Sequence, residues 1–200
     1  METTLTSTSP TLELEWLRSE FGRFKEIPEK YEEIILTVLS HYPELKDTCI
    51  RFVLKDDHPV PYGTMPSMKT IFSEPAEREY IVTLREKAEY PTFYALFKNL
   101  TDDAKKAVIA HEISHVVQYN GCSKAELMKF MLFYLVPEFK EKVEKAADME
   151  AIIHGFGHEL LEHAIYLRTI PGYVEQRPEI NRNYLMPQEI VEYLPDVEDY

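Results

Sequence analysis

Residues 101–121, TDDAKKAVIAHEISHVVQYNG, admit little besides a helix with both ends marked. Thr101 is a good N-cap, and Asp102 and Asp103 fall in the first turn, where the helix dipole favours anions. Asn120-Gly121 is a stop signal. The flanks AVIA and VVQY bury the middle of this helix, and that middle carries His111, Glu112 and His115. Buried imidazoles need partners. Whatever the chain folds into must therefore close around an apolar helix with one polar spot.

The rest of the second half is also helical. Ser123 followed by Glu126 is a capping box, and the helix it opens should end near Val136, since Pro137 suits the first position of another. From Pro137 to about Leu167 the pattern stays helical, with Gly155 and Gly157 able to kink it. The first half is mixed. Apolar residues from Leu12 to Leu39 recur at helical spacing, divided by Gly22 and Pro28 into two short helices. The runs around 48–54 and 79–85 read as strands, joined through a loop with Pro59, Pro61, Gly63 and Pro66. Residues 171–200 hold four prolines and many acids, with room for one short helix over 188–193.

No repeat and no linker marks a second domain, so residues 1–200 read as one domain. Within it, 1–10 form a tail, 11–46 an N-terminal helical segment and 171–200 a C-terminal extension. Hydrophobic residues at 44% suffice for a core. With 22 basic against 35 acidic side chains the formal charge is −13, which repels a polyanion, so no nucleic-acid partner is expected. Cys49 and Cys122 are too few for a disulfide framework. The start METTLTSTSP lacks the basic and apolar regions of a secretory signal. The longest apolar stretch, 130–136, is far short of a bilayer span. A soluble, cytoplasmic protein is the expectation; its oligomeric state is not legible.

Histidines four apart on a helix differ by about 40° and project from one face, so both imidazoles of HEISH can bind one zinc ion. Glu112 then stands where it can take a proton from a zinc-activated water. In a chain with seven histidines an H-E-x-x-H arises by chance with a probability of roughly 3%, so the motif is informative. The third ligand sets the subclass. An HExxHxxGxxH pattern needs glycine at 118 and histidine at 121, where Gln118 and Gly121 stand. On the next long helix Glu144 can complete a His2Glu site, and Asp148, one turn on, can accept a hydrogen bond from a ligand histidine. Ala147 and Ala151 offer a small face for close approach. Should Glu144 point away, Asp148, Glu150 and His154 are the next candidates.

HEISH followed by EKAADMEA resembles the gluzincin metallopeptidases that carry HExxH…ExxAD, over roughly residues 101–151. The resemblance implies a zincin-like α+β fold, mostly helical, with an active-site helix beneath a small sheet. It implies zinc-dependent hydrolysis of a peptide or protein substrate, with His111, His115 and Glu144 as ligands, Glu112 as base and Asp148 behind the ligands. An inactive zincin scaffold serving as a binding or regulatory module, with a structural metal, is the alternative. The membrane-bound gluzincins carry spans that this chain lacks. Tyr173, Arg177 and Tyr184 are candidates to stabilise the oxyanion. In such folds an edge strand holds the substrate, a role open to YIVTL, residues 80–84.

Other features have plainer readings. His154, His158 and Glu162 continue one helical face with His163 nearby, more in the manner of interhelical hydrogen-bonding groups than of a second zinc site. Helical spacing assigns the aromatic runs YPTFYALF (90–97) and MLFYL (131–135) to the core, and the acidic end PDVEDY to solvent.

Overall fold

The computed structural model describes residues 10–56, 60–89 and 91–197. The expected tail up to residue 9, residues 57–59 of the proline-rich loop, Tyr90 and the last three acidic-tail residues lie outside the described residues. The chain is α+β: mostly helical, with one small mixed sheet. It opens with α1 (Pro10–Phe21), a two-residue strand β1 (Lys25–Glu26) and α2 (Glu32–Ser40). Strands β2 (Cys49–Lys55), β3 (Tyr62–Pro66) and β4 (Glu79–Arg85) follow. The sheet order is β1-β2-β4-β3, with β1 and β4 parallel to β2, and β3 antiparallel to β4 so that Thr64 faces Val82.

The two strands expected from β-rich runs are present, but two others escaped the pattern. β1 is too short to carry a period. β3 is written in turn residues, with Pro61 before it and Pro66 at its end, which an edge strand tolerates because its outer N–H groups need no partner. Its position corrects a role. β4, containing YIVTL, runs between β2 and β3 and is not an edge; the edge nearest the buried helix is β3.

The helical half comprises α3 (Asp102–Asn120), α4 (Lys124–Phe133), α5 (Pro137–Ala151), a π-helical turn at Ile152–Phe156, α6 (Gly157–Thr169), α7 (Tyr173–Gln176), α8 (Glu179–Asn183) and α9 (Pro187–Val197). Thr101 caps α3 by accepting from the Ala104 N–H, and Ser123 with Glu126 forms the capping box of α4. At the expected kink Gly155 takes φ +88°, a left-handed conformation that leaves L residues strained. α5 and α6 are thus separate helices, and the face proposed for His154, His158 and Glu162 is broken. Gly157 allows close approach: a Cβ there would lie 2.4 Å from Leu194 of α9. Three helices occupy the C-terminal region where one was expected. α9 runs from Pro187 through Val197, its start held where the Glu189 carboxylate accepts the Met186 N–H at 2.7 Å, and residues 195–197 are helical and not tail.

α3 lies at the centre, packed against α2, α5, α6 and β3. Ile109, Ala110, Ile113 and Val116 are fully buried on it. Tyr42, just past α2, brings its hydroxyl to the Ala110 carbonyl (3.1 Å) and Ser114 Oγ (3.0 Å), meeting the polar groups on that side of the helix. The aromatic runs divide. Ala95, Leu96 and Phe97 are buried, whereas Phe93 and Tyr94 are exposed. α4 stops at Phe133, short of Val136, so Phe130 and Met131 reach the core while Leu132 and Leu135 are 66% and 80% exposed. No helix among the described residues is long and apolar enough to cross a membrane.

The end of α3 is secured in an unexpected way. Gly121 keeps a right-handed φ of −71°, so no left-handed glycine closes the helix. Arg78, 1% exposed, instead donates from Nη1 to the carbonyls of Tyr119 (3.0 Å) and Cys122 (2.7 Å), placing a cation at the negative end of the dipole. Replacing Arg78 with Met strands these carbonyls, and we expect a loss of about 3 kcal/mol in unfolding free energy by urea titration. A loss below about 0.5 kcal/mol would show that the guanidinium is not what ends the helix.

Candidate functional site

Where α3 crosses α5, five ionisable side chains are buried together: His111, Glu112 and His115 from α3, Glu144 and Asp148 from α5. The apposed faces permit this because Ala147 and Ala151 are fully buried and small. His111 Nε2 lies 3.2 Å from His115 Nε2 and 3.1 Å from Glu144 Oε2, and His115 Nε2 lies 3.4 Å from the same oxygen. One ligand atom from each of the three residues thus falls within 4.8 Å of the others.

The outer nitrogens reveal what those inner atoms are. Gln118 donates from its amide nitrogen to the Val143 carbonyl at 3.1 Å, which turns its Oε1 toward His115 Nδ1 at 2.9 Å. Nδ1 of His115 therefore carries a proton. Asp148 accepts from His111 Nδ1 at 2.7 Å, and its other oxygen accepts the Leu185 N–H at 2.8 Å. With both Nδ1 atoms donating, each neutral ring presents a bare lone pair at Nε2. Two such lone pairs and a carboxylate facing one another within 3.4 Å repel unless a cation joins them. A proton can do so, and so can a metal ion; two imidazoles with one carboxylate are a zinc donor set.

The charge states agree. Burial opposes charge on His111, but hydrogen bonds to Asp148 and Glu144 outweigh it and raise its pKa well above the ordinary value. Burial would raise Glu144, yet the two histidines hold it well below the usual carboxylate range. Glu112 behaves oppositely: burial lifts its pKa, against the pull of His111, His115 and a Thr64 hydrogen bond. Thr64 Oγ1, on β3, reaches Glu112 Oε2 at 2.7 Å and its backbone carbonyl at 2.9 Å. Tyr134 donates to Glu144 Oε1.

The five residues singled out from the sequence therefore meet. His154 does not join them: its Nε2 lies 3.0 Å from Glu44, and Tyr42 stacks on its ring at 3.9 Å. Glu150 lies beside His154 and away from the crossing, in a separate group with Glu44. Tyr173, Arg177 and Tyr184 share a cavity wall with His111 and Glu112, and the Tyr184 ring packs on His111 with centroids 5.5 Å apart. Burial, reinforced by Glu144 and Glu112, raises the Tyr184 pKa well above its ordinary value, so its proton is retained. Four participants were not anticipated. Gln118 was findable, one turn from His115 on the same helix. Thr64, Tyr134 and the Leu185 N–H arrive through tertiary packing and left no local signal.

A buried pair of imidazoles and a carboxylate between crossing helices, with a second carboxylate beside a cavity, is an arrangement suited to metal-assisted chemistry. Comparison with protein families gives one match to the same stretch: residues 92–170, which hold α3 to α6, are similar to peptidase family M48. Comparison with curated proteins and with solved structures finds no match.

The raised pKa of His111 has a measurable sign. Its ion pair contributes fully to folding below the unfolded value of about 6.5, and that contribution is lost as pH rises through the folded value. At pH 7 the metal-free protein thus holds the imidazolium. Zinc addition should release about one proton per ion, seen by calorimetry in two buffers of different ionisation enthalpy. No release would mean that His111 is already neutral.

Proposed function

We propose that the chain is a zinc metallopeptidase in which His111, His115 and Glu144 hold the metal, Glu112 is the general base and Asp148 fixes the tautomer of His111. The observation that carries this reading is the convergence of two tautomer-locked Nε2 atoms and a carboxylate oxygen within 4.8 Å, with Glu112 beside them on a cavity wall. The similarity of residues 92–170 to peptidase family M48 supports it.

Zinc, when bound, supplies a Lewis acid that polarises the scissile carbonyl and acidifies water. The chain's own groups do the rest. Thr64 holds one oxygen of Glu112, and burial has raised the affinity of that carboxylate for a proton. Glu112 takes a proton from water as the water oxygen bonds to the carbonyl carbon. The same carboxyl returns it to the nitrogen as the C–N bond breaks. Tyr184, its hydroxyl proton retained, donates to the carbonyl oxygen as negative charge develops there. β3, the sheet edge whose Thr64 touches Glu112, offers backbone groups to an extended peptide.

Glu112→Gln should bind one zinc per chain and lose about 10²- to 10⁴-fold in peptide hydrolysis. Full activity in that variant would refute the mechanism. Tyr184→Phe should lose about 10²- to 10³-fold in kcat with KM little changed, read with the same peptide and zinc-loaded protein. An equal rise in KM with kcat intact would assign the hydroxyl to ground-state binding.

A further inference from the structure

The mechanism leaves one hydrogen bond of the buried group unused. Each histidine there has an outer partner that fixes its inner atom, Asp148 for His111 and Gln118 for His115. Glu144 has one as well. The Tyr134 hydroxyl donates to Glu144 Oε1, while Oε2 faces His111 Nε2 at 3.1 Å and His115 Nε2 at 3.4 Å. The two oxygens of this carboxylate are therefore not equivalent, and Tyr134 makes the difference between them.

The local fold holds that phenol in place. Six of the seven residues from 132 to 138, where α4 gives way to α5, are exposed, and Tyr134 alone among them is partly buried. Its N–H closes α4 on the Phe130 carbonyl at 2.8 Å. Its ring lies nearly parallel to that of Phe130, centroids 6.4 Å apart, and the Lys140 ammonium stands over it at 5.1 Å. Phe130 itself packs against the core. The chemistry turns on how many oxygens Glu144 can offer. A carboxylate can give a divalent ion one oxygen or both. With both, Glu144 and the two imidazoles supply four donor atoms, the number of a closed tetrahedral site; with one, they supply three and leave a position open for water. A hydroxyl proton held on Oε1 draws on the negative charge of that oxygen, so the one left to a metal is Oε2, which the imidazoles already face.

We propose that Tyr134 is a positioning residue for the metal: its hydroxyl keeps Glu144 Oε1 occupied, so that Glu144 offers a single oxygen and a coordination position stays open for the reacting water. The proposal rests on the reading of His111, His115 and Glu144 as zinc ligands. Tyr134 acts only through Glu144, and its role can be tested without turnover.

The full chain is compared with Tyr134→Phe, which removes the hydroxyl and keeps the ring, and with Leu135→Ser, which alters the same turn at a side chain 80% exposed. Cobalt(II) is bound in place of zinc, and its visible absorption reports the number and arrangement of its ligands. Tyr134→Phe should still bind cobalt but with shifted bands, whereas Leu135→Ser should match the parent. In the zinc-loaded proteins Tyr134→Phe should lose about 10- to 100-fold in kcat, with KM and the zinc affinity little changed. An unchanged cobalt spectrum in Tyr134→Phe overturns the proposal, and so does a shifted spectrum with kcat intact; peptide cleavage by the parent leaves the peptidase reading standing in both cases. A fall in zinc affinity with the spectrum unchanged also overturns it, since the hydroxyl then serves only to steady Glu144. A parent that binds cobalt and shows the Tyr134-dependent shift, yet cleaves no peptide, upholds the positioning role and removes the peptidase reading. A parent that binds neither metal removes both.

Discussion

The crossing of α3 and α5 has to accommodate three carboxylates and two imidazoles out of water, and the surrounding structure is arranged to make that possible. Isolated buried charges are costly, so each group here is given a definite partner. Asp148 is the hinge of the arrangement, since one oxygen orients His111 and the other is taken by the Leu185 N–H. Gln118 performs the equivalent service for His115 by borrowing the Val143 carbonyl. These outer bonds drive both Nε2 lone pairs inward. The inner atoms then meet directly, both Nε2 atoms closing on Glu144 Oε2.

The position of this knot explains much of the remaining fold. α3 can be apolar on nearly all sides because α2, α5, α6 and β3 enclose it, and its exposed backbone ends are met by Thr101 at one terminus and Arg78 at the other. The sheet contributes the strand that bears Thr64, which places a hydroxyl on the free carboxylate of the site. Surface charge and site charge are separate matters. An acidic exterior surrounds a centre whose own carboxylates are consumed by imidazoles, amides and hydroxyls.

What could be read in the residues follows from how local each cause was. The ends of α3 and α4 were legible because Thr101, Ser123 and Glu126 act within one turn. His111, Glu112 and His115 were legible for the same reason, as a spacing within one helix. Glu144 and Asp148 required a second helix, and their spacing by one turn was the clue to a shared face. β3 was hidden because its stability comes from pairing with β4, and its proline-rich ends resemble a loop. The exposed side chains of MLFYL were misplaced because hydrophobic spacing reports a preferred face, and α4 ended before that face could be used. Thr64, Tyr134 and Leu185 meet the site only after the chain has folded back, so no window of sequence contains their roles.

Leu185 sets an order of events. Its backbone N–H takes the second oxygen of Asp148, yet it lies 37 residues downstream of that carboxylate and beyond α8. A nascent chain that has emerged only through α6 possesses both crossing helices and all five ionisable residues. In it Asp148 still has one oxygen without that partner. The segment after α8 supplies the last hydrogen bond that holds Asp148. The short stretch between α8 and α9 thus completes the support of a carboxylate carried on α5.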